Sequence, residues 1–132
     1  MKIPQALIDE MVAHARADLP DECCGLVGGR DGEATTVYPI RNEFASPLRY
    51  RLHSQDQLRV DNEMREAGEE AVAIYHSHTR SEAYPSQTDV NEAEAWPEPM
   101  YLIVSLEDPD NPVVKGFWLR DKKIAHAELD VD

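Results

Sequence analysis

The chain has 132 residues, of which 30% are charged and 42% hydrophobic, with 26 acidic side chains against 13 lysines and arginines. This length and composition are typical of one globular domain that needs no disulfides to fold. The formal net charge of −13 repels phosphate backbones and anionic lipid headgroups. It therefore argues against nucleic acid and membranes as partners and favours a protein with a basic face.

The two cysteines, Cys23 and Cys24, are adjacent. Neighbours on a strand point to opposite faces, so a disulfide between them is disfavoured. We expect small buried side chains, with a redox pair and soft metal ligands as the alternatives. The first residues lack the apolar segment of a secretion signal, and no apolar run approaches membrane-spanning length. Together with free thiols, this predicts a cytoplasmic protein.

Ten secondary-structure elements are predicted along the chain. Apolar residues spaced three or four apart indicate helices, alternation indicates half-buried strands, and short continuous apolar runs indicate strands buried on both faces. In chain order, the elements are a helix over 4–19, strands over 23–29, 34–40 and 47–53, a helix over 54–67, a strand over 71–75, a helix over 86–96, and strands over 100–105, 112–120 and 123–131. This order predicts a single α/β domain over residues 1–132, with a mixed central sheet flanked by helices.

Two of these elements depend on local patterns in the middle of the chain. The strand over 47–53 is predicted from the alternation of Leu48, Tyr50 and Leu52. The helix that follows is expected to begin with Ser54 as its N-cap and Gln57 in the capping-box position.

Two of the five histidines, His76 and His78, lie one residue apart where the predicted buried strand ends. On an extended chain both side chains project from the same face, so the two imidazoles can hold one ion between them. Nitrogen ligands of this kind suit Zn²⁺. An isolated pair has a second explanation, since two half-exposed histidines can also end a strand without binding a metal.

Ser86 and Asp89 lie at the start of the helix that follows the histidines. A carboxylate in this first turn would complete a set of two histidines and one aspartate, leaving the fourth position for water as in catalytic zinc sites. The same S-x-x-D pattern is also typical of a helix cap, in which the two residues bond each other's backbone. The pair alone favours the cap, and the histidines upstream favour the metal site.

The combined pattern resembles the motif of the JAMM (MPN+) zinc metalloprotease family, in its compact prokaryotic type. The family motif has His-Ser-His, seven residues, and then Ser and Asp separated by two residues; here these are HSH at 76–78 and SQTD at 86–89. The family also carries a glutamate in a P-x-E-x-C-G setting, which matches PDECCG at 20–25. The resemblance extends over residues 5 to 120 in the order of elements.

The resemblance implies a fold and a role for each motif residue. It implies the MPN/JAB fold, which is similar to that of cytidine deaminases, and one Zn²⁺ per chain held by His76, His78 and Asp89. It further implies that Glu22 is the general acid/base for a zinc-activated water and that Ser86 donates a hydrogen bond to the oxyanion. No organic cofactor is expected.

The resemblance also implies a substrate class. Compact members of the family act on ubiquitin-like sulfur-carrier proteins, so we expect a peptidase or isopeptidase that hydrolyses an amide bond after the C-terminal glycine of such a carrier. The expected partner has a flexible Gly-Gly tail, and the released group could be an amino acid such as cysteine. The carrier, the released group, the pathway and the oligomeric state, for which a homodimer is one option, stay open at this point.

Two other functions are compatible with parts of the pattern. A non-catalytic MPN module would be a protein-interaction scaffold, although such modules typically lack this ligand set. A DNA-repair-associated relative has Asn between its histidines and Pro-Ser-Gly after them, whereas this chain has Ser77 and TRSE at 79–82.

Other conspicuous side chains are expected to have structural roles or to line the cleft. His14, His53 and His126 are expected to be structural histidines. Thr79 and Tyr84, between the histidines and Ser86, are expected to line the cleft.

Overall fold

The computed structural model describes the whole chain, residues 1–132. The helices are α1 (Gln5–Asp18), α2 (Ser54–Glu66) and α3 (Gln87–Glu92), the last followed by a 3-10 turn (Ala93–Ala95). The strands are β1 (Lys2–Ile3), β2 (Cys24–Arg30), β3 (Glu33–Ile40), β4 (Glu70–His78), β5 (Met100–Ser105), β6 (Val113–Arg120), β7 (Lys123–Ala127) and β8 (Asp130–Val131). None of the helices has the length and apolar character needed to cross a membrane.

All eight strands lie in one mixed sheet, in the order β7-β6-β5-β4-β2-β3-β1-β8. Strand β4 is near its centre, antiparallel to β2 and parallel to β5. Both faces of this region are apolar, as its continuous hydrophobic sequence predicts. One face packs on α1 through Met11 and Tyr75, and the other packs on α2 and α3 through Val60, Ile74 and Val90. The predicted mixed sheet with flanking helices is therefore confirmed.

The two adjacent cysteines are free and fully buried. Cys23 belongs to the apolar cluster on the α1 face of the sheet. Cys24 begins strand β2, where it pairs with His76 of β4. The expectation of small buried side chains is confirmed, and β2 lies directly beside the strand that carries the two histidines.

The predicted strand over 47–53 is wrong. Residues 43–51 form a loop, and only an isolated bridge joins Asn42 to Leu52. The side chain of Asn42 supplies the hydrogen bonds that a neighbouring strand would have supplied. Its Nδ2 donates to the carbonyls of Glu22 and Arg49, at 3.1 and 3.0 Å, and its Oδ1 accepts from the amides of Phe44 and Arg51, both at 3.1 Å.

The start of α2 also differs from the prediction. His53, not Ser54, is the N-cap residue, because its Nδ1 accepts a hydrogen bond from the amide of Asp56. Asp56 also forms a bidentate pair with Arg41. These contacts stabilise the first turn of α2, and no capping box involves Gln57. The histidine is thus structural, as expected, but in an unforeseen position.

The end of the chain forms the predicted hairpin and then departs from the prediction. Asp121 and Lys122 form the turn between β6 and β7 with positive φ angles of 53° and 60°. Instead of continuing, the chain leaves β7 after Ala127, and β8 pairs with β1 at the opposite edge of the sheet. Strands of two residues carry no periodicity, so neither β1 nor β8 could be predicted.

Candidate active site

Strand β4 and helix α3 bring three ionisable side chains to one point. His76 and His78 project from the same face of β4, with their Nε2 atoms 3.2 Å apart. Asp89, in the first turn of α3, places Oδ2 at 3.2 Å from Nε2 of His76 and 3.1 Å from Nε2 of His78. The three side chains are almost completely buried. The structure thus brings together the three residues that the motif predicts as ligands.

The spacing of these three atoms fits a metal ion. Ligand atoms about 2.0–2.1 Å from a tetrahedral ion lie roughly 3.3–3.4 Å from one another. The observed separations of 3.1–3.2 Å are close to this value. His76, His78 and Asp89 therefore form a group that can hold a metal ion.

Neighbouring groups fix the orientation of the two imidazoles. Nδ1 of His78 lies 2.8 Å from the carbonyl of Glu82. A carbonyl can only accept, so Nδ1 carries a proton, and in the neutral imidazole Nε2 keeps a lone pair for a metal ion. Nδ1 of His76 is buried without a hydrogen-bond partner. Its ring is held instead by Tyr50, which stacks on it with ring centroids 4.4 Å apart and an interplanar angle of 18°.

Asp89 also takes part in a helix cap. Its amide donates to Oγ of Ser86 at 3.0 Å, and its Oδ2 accepts from the amide of Ser86 at 2.9 Å. The two interpretations of the S-x-x-D pattern are therefore compatible, because one carboxylate oxygen serves both arrangements. Burial alone would raise the pKa of Asp89, but His76, His78 and the Ser86 amide outweigh it and hold the pKa well below its usual range. The carboxylate is thus ionised, as a metal ligand must be.

Glu22 lies in the segment before β2 and is only 5% exposed. Its amide donates to the carbonyl of Ser46 at 2.9 Å, and its carbonyl accepts from Asn42. Burial raises the pKa of this carboxyl to about 7, although the nearby histidines oppose the shift. A carboxyl with a pKa near neutral pH can both accept and donate a proton in one catalytic cycle.

Ser77, between the two histidines, ties Glu22 to the histidine strand. Its Oγ accepts from the amide of Cys23 at 2.8 Å, and its own amide donates to the Cys23 carbonyl at 3.1 Å. These two bonds fix the residue that follows Glu22 against β4. The backbone next to Glu22 is therefore held against the strand that carries the histidines.

A cleft of about 510 Å³ connects the remaining predicted residues. It is lined by Pro20, Glu22, Pro47, Leu48, His78, Thr79, Arg80, Ser81 and Ser86. Ser86 accepts from the Asp89 amide, so its hydroxyl proton remains available to a ligand in the cleft. Thr79 lines the cleft as expected, whereas Tyr84 packs edge-on against Phe117 with centroids 5.6 Å apart.

A larger cavity of about 660 Å³ lies between α2 and α3. Tyr50, Ile74, Trp96 and Tyr101 contribute to its lining, but none of the five predicted site residues does. The smaller cleft is therefore the one that combines the candidate catalytic groups.

Three residues that support the site are not predicted as such from the sequence: Asn42, Tyr50 and Ser77. Ser77 lies inside the recognised motif, and its burial between two ligands was a usable signal. Tyr50 lies in the segment where the sequence predicts a strand, and no local pattern distinguishes Asn42. Their roles depend on contacts between segments that are distant in sequence.

Comparisons with known proteins agree with this geometry. A family profile described as prokaryotic homologs of the JAB domain matches residues 4–120. The CysO-cysteine peptidase of Mycobacterium tuberculosis is 42% identical over 127 residues, which cover 95% of this chain and 86% of that protein. The desampylase of Haloferax volcanii is 36% identical over 122 residues, covering 86% and 84% respectively.

A solved structure is similar to this chain over its whole length. The solution structure of a protein from Desulfitobacterium hafniense has a TM-score of 0.91 and 36% identity, covering 100% of this chain and 93% of that one. The match extends over every element that positions the cleft. The prediction of a JAMM-type metallopeptidase is confirmed by the family profile and by the peptidase relatives. The chain therefore belongs to the prokaryotic homologs of the JAB domain, the compact branch of the JAMM metallopeptidases.

Proposed function

We propose that this chain is a zinc-dependent peptidase that hydrolyses the amide bond after the C-terminal glycine of a ubiquitin-like sulfur-carrier protein. The observation that carries the proposal is the convergence of His76, His78 and Asp89 within 3.1–3.2 Å of one another, in a site shared with the buried Glu22. Relatives that are a CysO-cysteine peptidase and a desampylase support the substrate class.

In this proposal, Nε2 of His76, Nε2 of His78 and Oδ2 of Asp89 hold the ion. Two imidazole nitrogens and one carboxylate oxygen suit zinc and leave a fourth position open, as in catalytic sites. When bound, zinc supplies Lewis acidity that makes hydroxide available near neutral pH and polarises a carbonyl group.

Glu22 and Ser86 perform the remaining steps. Glu22 accepts the proton of the attacking water and later passes it to the leaving amine, for which a pKa of about 7 is suitable. The hydroxyl of Ser86 donates to the oxygen of the scissile carbonyl as negative charge develops there. One such donor contributes about 3 kcal/mol to stabilising the transition state.

The proposed substrate has a flexible tail that ends in Gly-Gly. Glycines have no side chains to clash with the walls at Pro47 and Leu48, and they let a tail lie extended. A carrier with a basic face would be attracted by the net charge of −13, so that encounter slows as salt rises.

Residues 1–132 would act as one domain, and two free buried thiols suit the reducing cytoplasm.

The test uses two substrates with the same tail. Zinc-loaded protein is incubated with a ubiquitin-like carrier extended by one amino acid beyond Gly-Gly, and separately with its tail as a free peptide. Mass spectrometry follows release across a salt series. We expect the carrier to be cleaved faster, with an advantage that decreases at high salt. Equal rates would indicate a general peptidase, and no cleavage of either substrate would favour a scaffold.

A further inference from the structure

Arg80 is the only lysine or arginine in the lining of the catalytic cleft. It follows the second histidine of the motif by two residues, and its side chain is exposed. No ion pair in the structure includes it. The cleft therefore contains one cationic group whose charge is not neutralised by the protein.

Other arginines around this end of the sheet are paired. Arg49 contacts Glu92 at 3.3 Å, Arg51 contacts Glu43 at 3.8 Å, and Arg41 contacts Asp56 at 2.9 Å. The chain has twice as many acidic side chains as lysines and arginines, 26 against 13, so acidic partners are abundant. An unpaired guanidinium inside a cleft is consequently available to a ligand.

The backbone that follows Arg80 is fixed by two hydrogen bonds. The hydroxyl of Ser105, at the end of β5, donates to the carbonyl of Ser81 at 2.6 Å. The imidazole of His78 donates to the carbonyl of Glu82 at 2.8 Å. Since β5 and a candidate metal ligand hold the loop, the guanidinium extends from a rigid base beside the site of hydrolysis.

We propose that Arg80 binds the α-carboxylate of the residue that is released from the carrier. This inference rests on the proposed function and makes it more specific. A guanidinium offers two parallel N–H donors that match a carboxylate, and such charge-assisted pairs are stronger than neutral hydrogen bonds. Thr79 and Ser81 add hydroxyl groups on either side of Arg80.

The position of the carboxylate follows from the chemistry of the leaving group. Hydrolysis breaks the C–N bond, the glycine becomes a carboxylate, and the leaving nitrogen gains a proton from Glu22. In a released amino acid, the α-carboxylate is one carbon away from that nitrogen and so remains inside the cleft. In an isopeptide, the same place holds the methylene groups of a lysine side chain, which give Arg80 nothing to bind. Glu22 would repel the carboxylate, and Arg80 is the cleft group that compensates.

The test compares two leaving groups that differ only in charge. One carrier ends in Gly-Gly-Ala with a free carboxylate, and the other ends in the same residue as a primary amide. For the wild-type protein we expect kcat/KM for the acid to exceed that for the amide by roughly 10- to 100-fold, the range for hydrogen bonds to a charged group. Arg80→Ala should lower kcat/KM for the acid to about that for the amide and so remove this preference, and Arg80→Lys should retain part of it. Arg65→Ala is the matched control, because Arg65 is an exposed arginine outside the cleft.

A binding measurement separates this inference from the proposed function. The same two carriers are titrated by calorimetry into zinc-loaded Glu22→Gln, with and without Arg80→Ala. Cleavage of acid and amide at equal rates would overturn the role of Arg80 and leave the peptidase function intact. Tighter binding of the acid that depends on Arg80, without turnover of either carrier by the wild type, would support the carboxylate site and overturn the peptidase. Equal binding without turnover would overturn both.

Discussion

The ring of Tyr50 lies almost parallel to the ring of His76, with centroids 4.4 Å apart. Because Nδ1 of His76 is buried without a hydrogen-bond partner, no polar contact outside the site fixes this imidazole. Packing against Tyr50 therefore sets the direction of its Nε2 lone pair. The loop that carries Tyr50 thus contributes to the candidate metal site without supplying a ligand.

Tyr50→Ala should weaken zinc binding about tenfold, the lower end of the effect of removing a group that orients a ligand. Tyr50→Phe keeps the stacked ring and should bind zinc within about twofold of the wild type. Competition with a chromogenic chelator measures both variants. Wild-type affinity in Tyr50→Ala would mean that His76 needs no stacking partner.

The two roles of Asp89 can be separated with Asp89→Asn. An asparagine oxygen can still accept from the Ser86 amide, so the helix cap should be kept, but the metal-free protein should lose the stability that the histidines give to the ionised carboxylate. A neutral amide is a poor zinc ligand, so affinity should fall by about 100-fold or more, beyond the usual effect of changing an outer group. Unfolding in urea and chelator competition measure the two quantities. Unchanged affinity would leave Asp89 with the cap alone.

Glu22→Gln should keep the fold and the bound zinc but lose most turnover. The substitution preserves shape and removes the group that transfers the proton, which typically lowers the rate by about 10² to 10⁴-fold. Elemental analysis and single-turnover release of the added amino acid test this together. Loss of zinc from the variant would instead make Glu22 a ligand.

The stability of the metal-free protein should depend on pH through Glu22. Burial raises its pKa from 4.5 to about 7, so between these values the folded protein holds a proton that the unfolded chain has lost. Stability therefore falls as pH rises through this window, by about 3 kcal/mol in total. Bound zinc would favour the carboxylate and reduce the effect.

The matched variant for this pH dependence is again Glu22→Gln, which does not titrate. After treatment with a chelator, it should equal the wild type in stability near pH 4 and exceed it near pH 8. Urea unfolding at pH 4, 6 and 8 gives the comparison. Parallel curves for the two proteins would show that Glu22 titrates normally.

Asn42→Ala should loosen the 43–51 loop while leaving the metal ligands in place. The side chain makes four hydrogen bonds to backbone groups, so its loss should destabilise the protein by about 2 to 4 kcal/mol. Because one of these bonds holds Glu22, kcat/KM should fall while zinc affinity changes less than in Tyr50→Ala. Asn62→Ala on the exposed face of α2 is the control. Full activity in Asn42→Ala would mean that the loop does not position Glu22.

The candidate ligands could be predicted because their determinants are local. A continuous apolar run predicts the buried strand, an i, i+2 spacing places His76 and His78 on one face, and S-x-x-D predicts the start of α3. Glu22 is different. It is one of 26 acidic residues and lies far from the histidines in sequence, so only the family resemblance identified it.

The 43–51 loop could not be predicted for a physical reason. Its apolar residues alternate as they do in a half-buried strand, but Leu48 is 85% exposed and no strand of the sheet lies beside this segment. The side chain of Asn42 orders the segment together with backbone hydrogen bonds, such as that from the Glu43 amide to the Arg51 carbonyl. Neither kind of contact has a sequence pattern. The absence of an ion pair at Arg80 could not be predicted from the sequence either, because it depends on where every acidic side chain lies in the fold.

One carboxylate oxygen of Asp89 contacts both the Ser86 amide and the two histidines, and this arrangement has a consequence for the rate of metal binding. Its Oδ2 is oriented by the Ser86 amide, and His78 is oriented by the Glu82 carbonyl, so the ligands acquire their geometry when the chain folds. An arriving ion then encounters a prearranged receptor and needs only to shed water. Loading should accordingly be a rapid second-order process whose observed rate increases in proportion to free zinc, without a plateau imposed by rearrangement of α3.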